Sequence, residues 1–291
     1  MKTWQLRLEY AAVRLLFGLA RLLGPVPASD FGGWLARSLG PLLPVSRIAR
    51  GNLARALPEL PAAKRAAVLR GMWDNLGRTM AELAHIPALR WEVAGAEHLA
   101  PLAARGGPAI LVSGHLANWE VLPPALAGLG IRMGSVYRAA DNPAVDAFVN
   151  TCRAAAVPGE ALPLFPKGSA GARAALRFLA QGGVLGMLAD QKLNDGIAVP
   201  LLGLPAMTAP APAQLALRFG CPVIPGRVQR LGPCHFRLVV EPPLPMPDQS
   251  GGQAGRQAAI GALTLAINDR LSAWIRERPA EWLWLHRRWP H

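Results

Sequence analysis

From about residue 92 onward, short apolar runs of strand length alternate with segments of helical periodicity. The runs fall at 109–113, 130–137, 162–165, 184–189, 222–228 and 236–241. The helical segments between and after them fall at 118–127, 144–156, 169–181, 208–219 and 253–276. Such alternation predicts an α/β fold: a mostly parallel central sheet flanked by helices. Residues 1–90 read differently. Their Leu/Ala runs are helical and broken by Pro25, Pro27, Pro41, Pro44 and Pro58. The expected organisation is therefore an N-terminal helical region, 1–90, and an α/β domain, 91–291.

The first helix, "TWQLRLEYAAVRLLFGLARLL", carries Arg7, Arg14 and Arg21 at a seven-residue spacing among leucines. A membrane span calls for about 18 or more uncharged apolar residues, and these charges interrupt it. No short uncharged core followed by a small-residue cleavage site marks a signal peptide. Two roles fit the pattern: a helix lying in a membrane interface with its arginines on phosphates, or an ordinary core-packing helix.

The chain is 52% hydrophobic and 17% charged, with a net charge of +13. That balance suits an anionic partner, such as a lipid surface, a phosphorylated substrate or an acidic protein. The positive charge is spread along the chain and forms no nucleic-acid-binding motif, so no nucleic acid is expected. Cys152, Cys221 and Cys234 lack metal-ligand spacing, and an odd, sparse set of thiols argues for a reducing compartment. No P-loop and no G-x-G-x-x-G is present, so neither a metal nor a nucleotide cofactor is expected.

In parallel α/β sheets the site gathers at the carboxyl ends of the strands. Three predicted strand ends carry polar residues: His115 after 109–113, Arg138 after 130–137, and Asp190-Gln191 after 184–189. Asn118 is placed to cap the next helix. Glu120 would lie in that helix's first turn, where the dipole favours a carboxylate. From there it could hold the His115 imidazole in one tautomer and leave the other nitrogen to take a proton from a substrate hydroxyl. No serine or cysteine stands in a nucleophile elbow, so direct transfer to an alcohol fits better than a covalent intermediate.

Longer motifs surround these positions: "NLARALPEL" (52–60), "NLGRTMAELA" (75–84), "GHLANWE" (114–120), "YRAADNPAVD" (137–146), "GMLADQ" (186–191), "VPLLGLPAMT" (199–208) and "EWLWLHRRW" (281–289). Together they resemble the bacterial lipid A late acyltransferases, lauroyl- and myristoyl-transferring membrane enzymes of the glycerolipid acyltransferase superfamily. The resemblance runs over nearly the whole chain. It implies an enzyme on the cytoplasmic face of the inner membrane, moving an acyl group from an acyl carrier protein thioester to a lipid A precursor. Related transferases act instead on a lysophospholipid, an ornithine lipid or another glycolipid. On this resemblance His115 is the base and Glu120 its partner, while Arg138, Arg153, Asp190, Asn118 and Gln191 form the substrate-binding set. The runs "KLNDGIAVP" and "PLLG" depart from the family's usual pattern. Trp282, Trp284 and Trp289 fit either an interfacial anchor or core packing.

Overall fold

The computed structural model describes residues 3–157 and 162–289. Its sheet has seven strands: β1 (Arg90–Ala94), β2 (Ala109–Ser113), β3 (Met133–Tyr137), β4 (Leu164–Pro166), β5 (Val184–Leu188), β8 (Val223–Gly232) and β9 (His235–Val240). They lie in the order β1-β9-β8-β2-β5-β3-β4. The five strands from β8 to β4 are mutually parallel; β9 turns back antiparallel to β8, and β1 runs parallel to β9. All five residues of β2 are buried, as expected of a central strand covered on both faces. The expected α/β class and mostly parallel sheet are what the chain forms.

The helices are α1 (Thr3–Leu23), α2 (Pro25–Leu39), α3 (Ser46–Ala56), α4 (Ala62–Glu82), α5 (Ala100–Arg105), α6 (Leu122–Ala127), α7 (Pro143–Ala154), α8 (Ser169–Ala180), α9 (Ala211–Phe219) and α10 (Gly252–Glu277). Strand alternation divides the core into two layers. Ile110 and Val112 face α8, α9 and α10, together with Leu53, Leu69, Met72 and Trp73 from α3 and α4. Ala109 and Leu111 face the other way, toward α6 and residues 83–89. Helices from the first ninety residues therefore complete a layer of the sheet's own core.

Some expected boundaries shift. The run at 130–137 begins as helix exit: Gly130, at φ +74°, donates to the Ala127 carbonyl, and β3 starts only at Met133. The helix expected at 118–127 opens with a 3-10 turn over Trp119–Val121, and α6 follows with Pro123 and Pro124 in its first turn. The elements not foreseen include β1, α5, and the hairpin of β6 (Lys192–Leu201) and β7 (Leu204–Thr208). Gly196, Pro200 and Pro205 break the alternation there. The hairpin turns at Leu202-Gly203, both left-handed, as a two-residue primed turn requires.

α1 has no buried residue. It rests on α7 through Phe17 and Phe148, ring centroids 5.0 Å apart, and Asn142 donates to the Leu6 carbonyl. Trp4, Leu8, Leu15, Leu19 and Leu22 are exposed and fall within about 60° of one another on a helical wheel. Phe31, Trp34, Leu35 and Leu39 of α2 and the adjoining Leu42 extend this exposed apolar surface. No helix among the described residues is long and apolar enough to cross a membrane. Two of the three spaced arginines also make contacts within the protein. Arg14 lies over Phe148 at 5.0 Å, and Arg21 reaches the Ala84 carbonyl.

Candidate active site

The loop after β2 is built to turn sharply and stay turned. At Gly114 a Cβ would lie 3.0 Å from Leu271 Cδ2 and 3.4 Å from Asp190 Cγ, so glycine lets the chain pass. Ala117 has φ 49°, a conformation that costs a non-glycine residue on the order of 1–2 kcal/mol. Neighbours hold it there. Its carbonyl accepts from Asn75 Nδ2 and Thr79 Oγ1 of α4, and its N–H donates to the Glu281 carbonyl. Below lies Glu82, fully buried. It accepts from Arg230 through both oxygens, from Ser29 Oγ and from Asn118 Nδ2.

His115 stands at the centre. Its Nδ1 is 2.8 Å from Asp190 Oδ1, and its backbone N–H donates to Oδ2 at 2.9 Å. The Trp282 indole N–H donates to the same Oδ2 at 2.8 Å. Asp190 is fully buried. Burial alone would raise its pKa, but the His115 charge and hydrogen bonds outweigh this and hold the carboxyl well below the usual range. A carboxylate on Nδ1 assigns the proton to that nitrogen and leaves the lone pair on Nε2. Gln191 Nε2 lies 3.4 Å from His115 Nε2, and Lys167 Nζ donates to Gln191 Oε1. A cavity of about 370 Å³, lined by His115, Trp119, Glu120, Tyr137, Arg138, Arg153 and Gln191 among others, opens here.

The partner expected for His115 is corrected by this geometry. Both Glu120 oxygens are taken by Arg153, through Nε at 2.8 Å and Nη2 at 2.6 Å. The cause is register. Ser113 of β2 pairs with Leu188 of β5, so residues two further along each strand, His115 and Asp190, emerge side by side. Glu120 instead sits within the turn capped by Asn118, where Arg153 of α7 reaches it. Burial lowers the Arg153 pKa, yet the Glu120 hydrogen bond and charge more than offset it, and the net shift is upward.

The substrate-binding set also divides. Arg153 and Gln191 line the cavity, and Arg138 stands exposed at its edge, 3.7 Å from Asp141. Asp190 and Asn118 are fully buried. Asn118 spends its side chain on the Glu120 N–H and on Glu82, because a cap inside the fold needs both ends of its amide satisfied. The "YRAADNPAVD" motif is partly scaffolding too: Asn142 caps α7, and Asp146 accepts from Tyr137 Oη and the Ala140 N–H.

Three groups at the site were not picked out from sequence: Lys167, His286 and the Trp282 indole. The His286 ring sits 5.0 Å from that of His115. Burial pushes its pKa down to about 4 despite the nearby Asp190 charge. His115, Asp190 and His286 bring ligand-capable atoms within 4.8 Å of one another. The Asp190 oxygens already accept three N–H donors, which suits an oriented imidazole. The tryptophans are core: Trp282 and Trp284 are fully buried and Trp289 nearly so, so the anchoring alternative does not hold for them.

A second cavity of about 870 Å³ lies on the opposite face of the sheet, between α8, α9 and α10. It is the larger, but it does not hold His115. It meets the first at Val136, Lys167, Met187, Leu188 and Gln191. Its walls are apolar, with Phe165, Ala175, Leu176, Leu185 and Ile260. Lys192, Arg218 and Arg256 also line it, without any carboxylate.

Residues 2–291 match the family model described as bacterial lipid A biosynthesis acyltransferase. Among curated proteins, the chain is 26% identical over 265 residues to phosphatidylinositol mannoside acyltransferase of Mycobacterium tuberculosis, covering 82% of this chain and 76% of the relative. Among solved structures, the 1-acyl-sn-glycerophosphate acyltransferase of Thermotoga maritima aligns at 12% identity with a TM-score of 0.35, covering 91% of this chain and 98% of that one.

Proposed function

The chain belongs to the bacterial lipid A biosynthesis acyltransferase family, and from that premise we propose that it moves a fatty acyl group from an acyl carrier protein thioester to a hydroxyl of a lipid A precursor. The observation that carries this reading is His115, held at Nδ1 by buried Asp190 with Nε2 turned to a cavity. Nε2 takes the acceptor hydroxyl proton as the oxygen attacks the thioester carbonyl. The tetrahedral intermediate collapses by breaking the C–S bond, and the proton on Nε2 passes to the departing thiolate. The Gln191 amide lies 3.4 Å from this nitrogen and the Lys167 ammonium donates to that same amide, so both are suited to meet the developing oxyanion. A thioester is already activated, so positioning and one base suffice.

The larger cavity suits an acyl chain, being apolar inside and of a size usual for ligand pockets. Its Lys192, Arg218 and Arg256 suit an acidic carrier. The exposed stripe of α1 and α2 suits the inner membrane's cytoplasmic face, where the lipid acceptor would be concentrated. A second acceptor class is favoured by one observation: the mycobacterial relative is named for acylating a mannoside glycolipid.

Transfer from labelled acyl carrier thioesters to a panel of lipid A precursors, mannosylated phosphoinositides, lysophospholipids and ornithine lipids tests both readings. Acylation of the lipid A precursor above the others is expected. Transfer only to another lipid replaces the first acceptor by the second class, and no transfer to any hydroxyl removes the proposal.

A further inference from the structure

The segment after α10 runs against the His115 loop. Leu116 and Trp282 form an antiparallel bridge, the Ala117 N–H donates to the Glu281 carbonyl, and the Leu283 N–H donates to the His115 carbonyl. Within this segment Trp282 and Trp284 make an internal comparison. Both are fully buried, and a buried indole N–H needs an acceptor. Trp284 donates to the Pro279 carbonyl at 2.7 Å, a backbone group remote from the chemistry. Trp282 donates to Asp190 Oδ2, the carboxylate whose other oxygen faces His115 Nδ1.

We propose that Trp282 is a positioning residue for acyl transfer: its indole N–H pins the Asp190 carboxylate so that Oδ1 stays aimed at His115 Nδ1. This rests on the reading of His115 as the base. The terminal torsion of an aspartate is soft and broad, so the carboxylate plane is set by what its oxygens accept. Oδ2 accepts two N–H donors, from Trp282 and from the His115 backbone. With the indole donor gone, the backbone N–H of the loop being positioned is the donor left on that oxygen. An N–H donor delocalises part of the carboxylate's negative charge. Without it, both the aim of Oδ1 and the charge it presents to Nδ1 change, so the pH–rate profile should change along with kcat.

The test compares the parent with Trp282→Phe, Trp284→Phe and a chain carrying β-(3-benzothienyl)alanine at position 282, which keeps the indole shape but replaces N–H by sulfur. For both position-282 changes kcat should fall roughly tenfold, the scale of losing one hydrogen bond to a charged group. KM for donor and acceptor should change little, and the acid limb of the pH–rate profile should move. Trp284→Phe should lower the melting temperature and leave that limb in place. Parental kcat with an unmoved limb in the benzothienyl chain overturns the proposal even if Trp282→Phe does not fold. So does an equal shift in Trp284→Phe.

Ring-nitrogen NMR of His115 needs no substrate. The parent should show the Nδ1–H tautomer, and the position-282 chains a mixture. A single unchanged tautomer in those chains refutes the positioning role whatever the acceptor proves to be. A tautomer shift in a protein with no acyl transfer would sink the functional reading, leaving only the positioning of His115 by Trp282 through Asp190.

Discussion

Residues 114–118 are gripped by α4, by Asp190 beyond β5 and by residues 281–283, whereas along α1 not one described residue is buried. The first region spends buried polar partners on holding one imidazole and one left-handed alanine in place. The second leaves leucines and tryptophan in contact with solvent, a surface that makes physical sense only when something apolar covers it. The contrast separates chemistry from location. Changes to the loop and its braces should act on rate, and changes to the α1 stripe on binding to lipid. The largest effect is therefore expected at the core of the first region. His115→Ala and Asp190→Asn should each lower acyl transfer about a thousandfold, within the range for loss of an oriented general base. Vesicle binding should be unchanged in both. Parental turnover in either purified variant breaks the assignment.

Glu120 lies at the boundary of this comparison, since it faces the cavity yet is committed to Arg153. Glu120→Ala leaves a mostly buried guanidinium without its carboxylate. It should destabilise the fold by about 2 kcal/mol, discounted for the remaining exposure of Arg153, and slow transfer by tens of fold through the displaced arginine. Glu120→Ala combined with Arg153→Met should recover much of the stability. A double-mutant cycle on urea unfolding measures this coupling, and additivity would show the pair to be incidental. Replacing Leu8, Leu15 and Leu19 together with serine is the complementary change. Each leucine partly buried in lipid contributes on the order of 1 kcal/mol, so flotation with anionic vesicles should weaken by tenfold or more. The melting temperature should hold. Full vesicle binding in that variant would move the lipid contact elsewhere.

How much of this was legible in the sequence follows the same division. β2 and β5 were readable to within a residue because runs free of charged residues in a parallel sheet leave little choice. β1 and the β6–β7 hairpin were not, since their pairing is set by distant partners and by a turn at Leu202-Gly203. His115 was visible as a polar residue ending an apolar run. Its orienting carboxylate was not, because linear spacing favours Glu120 while sheet register delivers Asp190 from 75 residues away. The "NLARALPEL" motif had no evident purpose until Asn52 was seen donating to the Trp284 and His286 carbonyls. That contact ties α3 to the segment bracing the site. Tryptophan in "EWLWLHRRW" suits a membrane interface as well as a core, and only packing decided for the core.

The smallest expected effect concerns His286, and it probes whether the gripped region resists acid as a unit. Burial holds its folded-state pKa at about 4, against 6.5 when free. As pH falls from 6.5 toward 4, the unfolded chain therefore binds a proton that the folded chain refuses, and stability falls across that window. The loss levels off once the folded histidine also protonates. Asp190 contributes in a separate window. Its folded pKa is depressed, so its stabilisation is complete above the unfolded value of 3.8 and is lost only as pH drops below it. Urea unfolding from pH 7 to 3 should show the parent losing, between pH 6.5 and 4, on the order of 1 kcal/mol from this one histidine, discounting for its partial exposure. In His286→Asn that component should vanish, while the steeper loss below pH 4 persists. Parallel curves for the two proteins between pH 6.5 and 4 would mean that His286 exchanges protons freely, and that the packing around His115 is looser than its contacts imply.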